Sequence, residues 1–556
     1  MFKNLFRKKS ISKILSDHES GLVDDIHGGS LHRTLTTRDL TFFGIAAIIG
    51  AGSFSSLGNA CFDGGPGIIL LFMICAVACG FTALCYAEFA SRVPVSGSAY
   101  TYAYVSFGEL FAWIIGWALL MEYSIGNIYV AFSWSGYFTN LLQAIHIHLP
   151  EYLTTNYQSA HNGFLNNEEG ENMIAWNTAP VFVGLKIIFD LPAVLINLFI
   201  TWLVYRGVKE SKNFSNAMVI VKLAIIGLVI AVGAFYIDID NWTPFLPNGF
   251  GGVMAGASAV FFAYIGFDAV STLAEESKDP QRDLPKGMIY SLVICTVIYI
   301  VLALVLTGMV SYTDLKVSDP LAAVFGLKGV KWMLYIVSIA AVVAMTSVLL
   351  VFQMGQPRIW MSMSRDGLLP KQFARVHPKY KTPSFSTIVT GAVVGIPLFF
   401  TDEKFILDFT SIGTLFAFVL VCGGVLMLPP KTDTENSKGK FKLPYINSKF
   451  ITPLIVIVLA GVTEYFSPSF LKNLFNITSE NAQSSIPMLL FCILCIVMSI
   501  FAFLRNLSLI PLMGLLSCCY LLTGMGLSNW IWFGIWLVIG LIVYLIYGYN
   551  KSKLAS

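Results

Sequence analysis

The chain has 556 residues, of which 56% are hydrophobic and only 12% charged, with a formal net charge of +3. Soluble domains carry about 25% charged residues, so the composition excludes a soluble globular protein and a nucleic-acid-binding module. It calls for an all-α polytopic membrane protein.

A spanning helix needs roughly 20 apolar residues, and the hydropathy pattern predicts fourteen such stretches between residues 40 and 548. The basic start Met1–Lys9 lacks a following apolar core and cleavage site, so residues 1–38 read as a tail and not as a cleaved signal peptide. The first span, near 40–58, is interrupted at Ile48-Ile49-Gly50-Ala51-Gly52-Ser53-Phe54. Interior glycines cost a helix about 1 kcal/mol each relative to alanine. Glu122 lies mid-span in the third stretch, where it reads equally well as a pocket acid or as a structural partner of backbone donors. The polar outer loop His146–Leu185 is expected to be mobile and tolerant of change. Asp190 and Asp408, near outer ends, are expected to be solvated.

Lys222 sits within the fifth span, in Val219-Ile220-Val221-Lys222-Leu223-Ala224. An intramembrane lysine is costly and usually marks a transport pathway, which makes Lys222 the candidate protonation switch. The sixth span breaks at Phe261-Phe262-Ala263-Tyr264-Ile265-Gly266-Phe267-Asp268, about 210 residues after the first break. Asp268 closes this break and is expected to cap or gate the helix. Glu88, Glu275 and Glu276 fall at inner helix ends, where pairing with Arg282, Arg92 or Arg365 is expected. Five spans (39–236) and five more (251–428) each open on a broken helix; a cytoplasmic linker (429–449) and four accessory spans (450–550) follow. The aromatic stretch Trp530–Trp536 reads as an interfacial anchor.

With the amino terminus in the cytoplasm, 28 of the 35 lysines and arginines fall on the inner side. The positive-inside rule then places both termini in the cytoplasm and favours an even number of spans. Most of the ten cysteines lie inside spans and read as small packing residues. No Cys/His cluster has metal-ligand spacing, so no cofactor is expected.

Broken spans in corresponding positions of two halves point to a transporter built from repeats, with its substrate held near mid-membrane. At Gly50, Ala51 and Gly52 the backbone N–H groups of a half-helix start can face a carboxylate. Carbonyls freed at the opposing break, Phe262-Ala263-Tyr264-Ile265, suit an ammonium group. An α-amino acid carries both charges a few ångströms apart, so the paired breaks match a zwitterion.

Several further stretches join these: Leu35–Leu40, Cys85–Ala90 with Pro94–Tyr100, Ile115–Trp117 through Tyr123, Ala274–Glu276 with Pro280–Pro285, Gly355–Arg358 with Met363–Gly367, and the tail Trp530–Tyr549. Together they resemble amino acid permeases of the amino acid–polyamine–organocation superfamily, specifically the cationic amino acid transporter family. The resemblance implies a LeuT-like 5+5 inverted repeat with four additional C-terminal helices, fourteen in total, working by alternating access on L-amino acids. It assigns carboxylate binding to Gly50, Ala51 and Gly52, and ammonium binding to Phe262, Ala263 and Ile265, with Phe262 as aromatic gate. By the same resemblance Lys222 takes the place of a coupling sodium ion, Glu122 matches a third-helix glutamate, and Met345 limits the pocket. Ser53 stands where the family usually has a branched aliphatic residue, and Ala118 where it often has aspartate.

The expectation is a secondary active transporter of L-amino acids, coupled to protons through Lys222, multi-pass in the plasma (cytoplasmic) membrane and surrounded by lipid. A small accessory membrane subunit is a conceivable partner. The rivals are a uniporter or exchanger, and a non-transporting amino acid sensor. A channel lacks its filter motif here, and an enzyme its nucleophile–base arrangement.

Overall fold

The computed structural model describes residues 7–9, 33–50, 52, 54, 57–166, 170–182, 184–317, 320–401, 403–428, 441–466, 474–475 and 482–553. Among these, seven helices are long and apolar enough to cross a membrane, and five more are shorter apolar helices. The chain is a multi-pass helical membrane protein, as a bilayer demands when every backbone polar group must be satisfied within the segment.

The first broken helix starts at α1 (Thr37–Ile48). Thr36 and Asp39 form a capping box: the Thr36 hydroxyl accepts from the Asp39 amide, and the Asp39 carboxylate accepts from the Thr36 amide at 3.0 Å. The helix stops where Ile49 turns extended and resumes as α2 (Leu57–Gly64), which runs on into α3 (Ile68–Arg92). A short α4 (Ala99–Ser106) leads into the long α5 (Glu109–Ala144). The most apolar stretch of α5 is 89% buried, so this helix is the axle of the bundle.

The described residues of the outer loop are folded, and residues 167–169 of its acidic stretch lie outside them. The loop holds α6 (Tyr157–Leu165), α7 (Glu171–Thr178) and a hairpin of β1 (Val181–Phe182) with β2 (Leu185–Lys186). Ala160, Ala175, Ala179 and Ile188 form its own small core against Tyr152, Tyr157 and Trp176. Asn156 caps α6 by accepting from the Ser159 amide at 2.8 Å.

Next come α8 (Leu191–Arg206) and α9 (Val208–Ala234). Asp190 is a correction: it is buried, caps α8 through the Ala193 amide (3.0 Å) and accepts from the Ser135 hydroxyl (2.5 Å). The side chain of Asp408 lies outside the described residues. After α10 (Gly249–Ala255), the second broken helix runs as α11 (Ala257–Tyr264), an extended Ile265, and a 3-10 helix, Phe267–Glu276. Then follow α12 (Pro280–Met309), α13 (Pro320–Leu327), α14 (Lys331–Arg365), α15 (Ser384–Gly395) and α16 (Glu403–Met427).

The C-terminal part comprises α17 (Ile451–Phe466), α18 (Ala482–Arg505), α19 (Leu509–Thr523) and α20 (Leu527–Val543), which continues through a π-helical turn into α21 (Tyr549–Lys551). Only 11% of the apolar stretch of α18 is buried, so it is peripheral. By contrast α20 is locked onto α5: Trp117 and Trp536 stack at 4.8 Å, and each indole N–H donates to the other residue's carbonyl at 2.9 Å. Trp536 is therefore a packing residue, not an interfacial anchor. All ten cysteines are free, eight of them buried.

The N-terminal segment 7–9 and the C-terminal residues 551–553 lie on one face, where both meet Asp366. On this terminal face the expected ion pairs form in part. Glu88 meets Arg92 at 2.9 Å and Glu275 meets Arg365 at 2.8 Å. Glu276 pairs with the buried Arg358 of α14 at 2.5 Å and not with Arg282.

Candidate functional site

The site is built where the two breaks meet. Gly52 is required by close approach: a Cβ there would lie 2.6 Å from the Ala263 Cα. Gly266 has φ +120°, a conformation open to glycine, and a Cβ there would lie 2.6 Å from the Ala47 Cβ. The absence of these side chains lets the breaks face each other. Ala51 and Ser53 lie outside the described residues.

An interrupted helix leaves its last carbonyls without intrahelical donors. Lys222, fully buried on α9, supplies them for α1. Its Nζ donates to the Ala46 carbonyl at 3.1 Å, the Ile49 carbonyl at 2.7 Å and the Ser347 hydroxyl at 2.9 Å. An ammonium has three protons to donate, and all three are engaged. The positive charge also complements the negative end of the α1 dipole.

Tyr299 of α12 does the same for both breaks at once. Its buried hydroxyl lies 2.8 Å from the Ile48 carbonyl and 2.9 Å from the Ala263 carbonyl. Tyr137 of α5 donates to the Phe54 carbonyl at 2.9 Å and so holds the far side of the first break. The partly buried Phe262 packs edge-on against Tyr129 of α5, centroids 5.3 Å apart. Ala263 and Ile265 are buried beside it.

Glu122 and Asp268 form a second group. Both are buried and close enough to interact electrostatically, with the hydroxyls of Tyr86 and Tyr123 in the same field. The Thr414 hydroxyl lies beside Glu122. One Glu122 oxygen and both Asp268 oxygens lack a well-formed hydrogen bond, although the Asp268 carboxyl sits against the amides that open the 3-10 helix.

Met345 is fully buried on α14, but other residues of that helix meet the site directly. A Cβ at Gly50 would lie 2.2 Å from Val348 Cγ2. Phe352 packs against Tyr123 at 5.4 Å. On the terminal side a small cleft of about 10 Å³ lies between Leu35, Asp39, Phe43, Lys212, Asn216 and Met354.

The structure thus brings together Gly50, Gly52, Lys222, Phe262, Ala263 and Ile265 around the breaks, with Glu122 and Asp268 both buried in the bundle. Sequence reasoning missed Tyr299, Ser347, Tyr137 and Val348. Hydroxyl residues and valine are ordinary inside spans, so only their spacing from the breaks could have singled them out.

A family model described as amino acid permease matches residues 35–498, and a second, described as the C-terminus of such permeases, matches 507–552. The chain belongs to the amino acid permease family. This permease is 37% identical to the branched-chain amino acid permease BcaP of Bacillus subtilis, over 99% of both chains. It is 40% identical to the methylthioribose transporter of the same species, over 83% of this chain and 92% of the relative. The vacuolar cationic amino acid transporter 4 of Arabidopsis thaliana is 30% identical over 99% of this chain and 96% of its own. These relatives are permeases and transporters, so this permease is a membrane transport-family protein and not an enzyme.

Proposed function

We propose that this permease carries L-amino acids across the plasma membrane by alternating access, in symport with protons through Lys222. In this reading the substrate carboxylate rests on the amides around Gly50, Ala51 and Gly52. Its ammonium group rests on the carbonyls of the second break, at Phe262, Ala263 and Ile265. Phe262 and Asp268 serve as gates, Glu122 borders the pocket and Met345 limits its size. The observation that carries the proposal is the direct apposition of two interrupted helices, bridged by Tyr299 and tied to α9 by Lys222.

Two broken helices opening two successive sets of five apolar segments support a LeuT-like 5+5 inverted repeat, with α17 to α20 as four additional spans and fourteen in all. The excess of basic residues on the terminal face supports cytoplasmic termini. No cofactor takes part beyond the coupling proton. A small accessory membrane subunit fits the reading but nothing in it requires one.

Lys222 is suited to coupling because its ammonium fills a position between α1, α9 and α14. Losing its proton would remove a donor and a charge from the first break, and thereby loosen the hold on α1. In proteoliposomes, uptake should rise with an inward proton gradient, and Lys222→Ala should lose that dependence. Gradient-independent uptake by the wild type would point to a uniporter or exchanger, and binding without flux to a sensor.

The methylthioribose transporter among the relatives favours a second reading of the cargo. Methylthioribose lacks both charges of an amino acid, so a thermal-shift screen of the twenty L-amino acids with methylthioribose alongside separates the two.

A further inference from the structure

We infer that the two ends of this chain form a latch on the terminal face that holds the inner ends of both broken helices closed. The inference rests on the transport reading for its purpose, though not for its geometry.

Two acidic residues organise the latch. Glu109, fully buried at the start of α5, accepts from the hydroxyls of Tyr104 (3.0 Å), Tyr544 (2.8 Å) and Ser552 (2.5 Å). Its backbone amide donates to the Arg7 carbonyl at 2.9 Å. Asp366, just beyond α14, accepts from Lys9 Nζ (3.0 Å) and the Tyr100 hydroxyl (2.7 Å), and its carbonyl accepts from the Lys553 amide (3.0 Å). The N-terminal segment and the C-terminal helix therefore grip the same two residues. They are braced by Tyr100 and Tyr104, which stand one turn apart on α4 with ring centroids at 5.9 Å. The Arg7 guanidinium lies 5.7 Å from the Tyr549 ring centroid, which joins the two ends directly.

The grip reaches the breaks by a continuous route. Arg365, next to Asp366, binds both oxygens of Glu275 at 2.8 Å, and Arg358 on the same helix binds Glu276. Ser96, just before α4, exchanges hydrogen bonds with Glu275. The Glu276 carbonyl in turn accepts from the amides of Thr34 (2.9 Å) and Leu35 (3.0 Å), while the Lys278 amide donates to the Leu35 carbonyl (2.9 Å). The inner end of the second broken helix is thus bonded to the segment leading into α1. The end of α14 fixes that junction, and the chain termini fix the end of α14. Charge-assisted bonds are the stronger ones in such a chain, and Lys9–Asp366 is the ion pair through which the N-terminal segment joins it.

Hydrogen–deuterium exchange on the full chain in nanodiscs tests the latch. The Thr34, Leu35 and Lys278 amides report directly on the junction, and residues 157–178 of the outer loop serve as control. The double variant Lys9→Ala/Ser552→Ala should speed exchange at 34–40 and 274–279 by threefold or more while the control is unchanged. Wild-type rates at both segments would overturn the latch. If the control also speeds up, the variant is misfolded and Tyr544→Phe decides, because it removes one hydroxyl and keeps the ring. It should speed the same two segments, and wild-type rates there would overturn the proposal. Failure of wild-type uptake in proteoliposomes would sink the transport reading and leave this result standing.

Discussion

Each proton of the Lys222 ammonium has its own acceptor, and two of those acceptors are carbonyls that α1 cannot satisfy itself. Lys222→Ala therefore strands the Ile49 carbonyl and leaves the Ala46 carbonyl only the long 3.4 Å contact from the Ser347 hydroxyl. At about 1–3 kcal/mol for leaving a buried polar group unsatisfied, the variant should show a clearly lower thermal midpoint in detergent, besides losing gradient-driven uptake. An unchanged midpoint would mean that water takes over the three bonds. Tyr299→Phe is the cleaner probe, because it removes one hydroxyl shared by both breaks and keeps the ring against Phe72 and Tyr264. Loss of about one hydrogen bond, roughly 1.4 kcal/mol, corresponds to about a tenfold fall in uptake efficiency. Initial rates across substrate concentration check it. Lys222 was legible in the sequence because a charge inside an apolar run stands out. Tyr299 and Ser347 were not, because their role depends on where α12 and α14 pass the breaks, and no local pattern encodes that.

At the scale of elements, the interruptions in α1 and α11 come from glycines whose absent side chains are needed, and Gly266→Ala tests this. A left-handed conformation costs a non-glycine residue about 1–2 kcal/mol, and the added methyl would also meet Ala47. The variant should lose uptake and unfold at lower temperature, whereas Gly227→Ala, in open space on α9, should do neither. Removal of a large buried aromatic side chain costs about 3 kcal/mol or more, so Trp536→Ala should detach α20 from Trp117. Faster proteolysis after residue 526 would report it. Both breaks were readable as glycine clusters inside apolar runs. The folded part of the outer loop was not legible because its polar composition hides a small core made mainly of alanines, Ala160, Ala175 and Ala179, which carry little hydropathy signal. Glu276 was assigned the wrong partner because Arg358 lies 82 residues further on and comes within reach only through the packing of α14.

Across the whole molecule, composition and charge asymmetry were enough to read a multi-pass helical protein, and the match over residues 35–498 and 507–552 places it in the amino acid permease family. The meeting of both chain ends at Glu109 and Asp366 was beyond sequence reasoning, since it joins positions more than 350 residues apart. The claim on which the mechanism depends is that a charged substrate lies between the two breaks. A cryo-EM map of the permease in nanodiscs, with the amino acid that raises its thermal midpoint most, tests that directly. The account predicts ligand density with its carboxylate at the amides of Gly50 and Gly52 and its ammonium at the carbonyls of the second break. Density elsewhere in the bundle, with the breaks closed on each other, would contradict it.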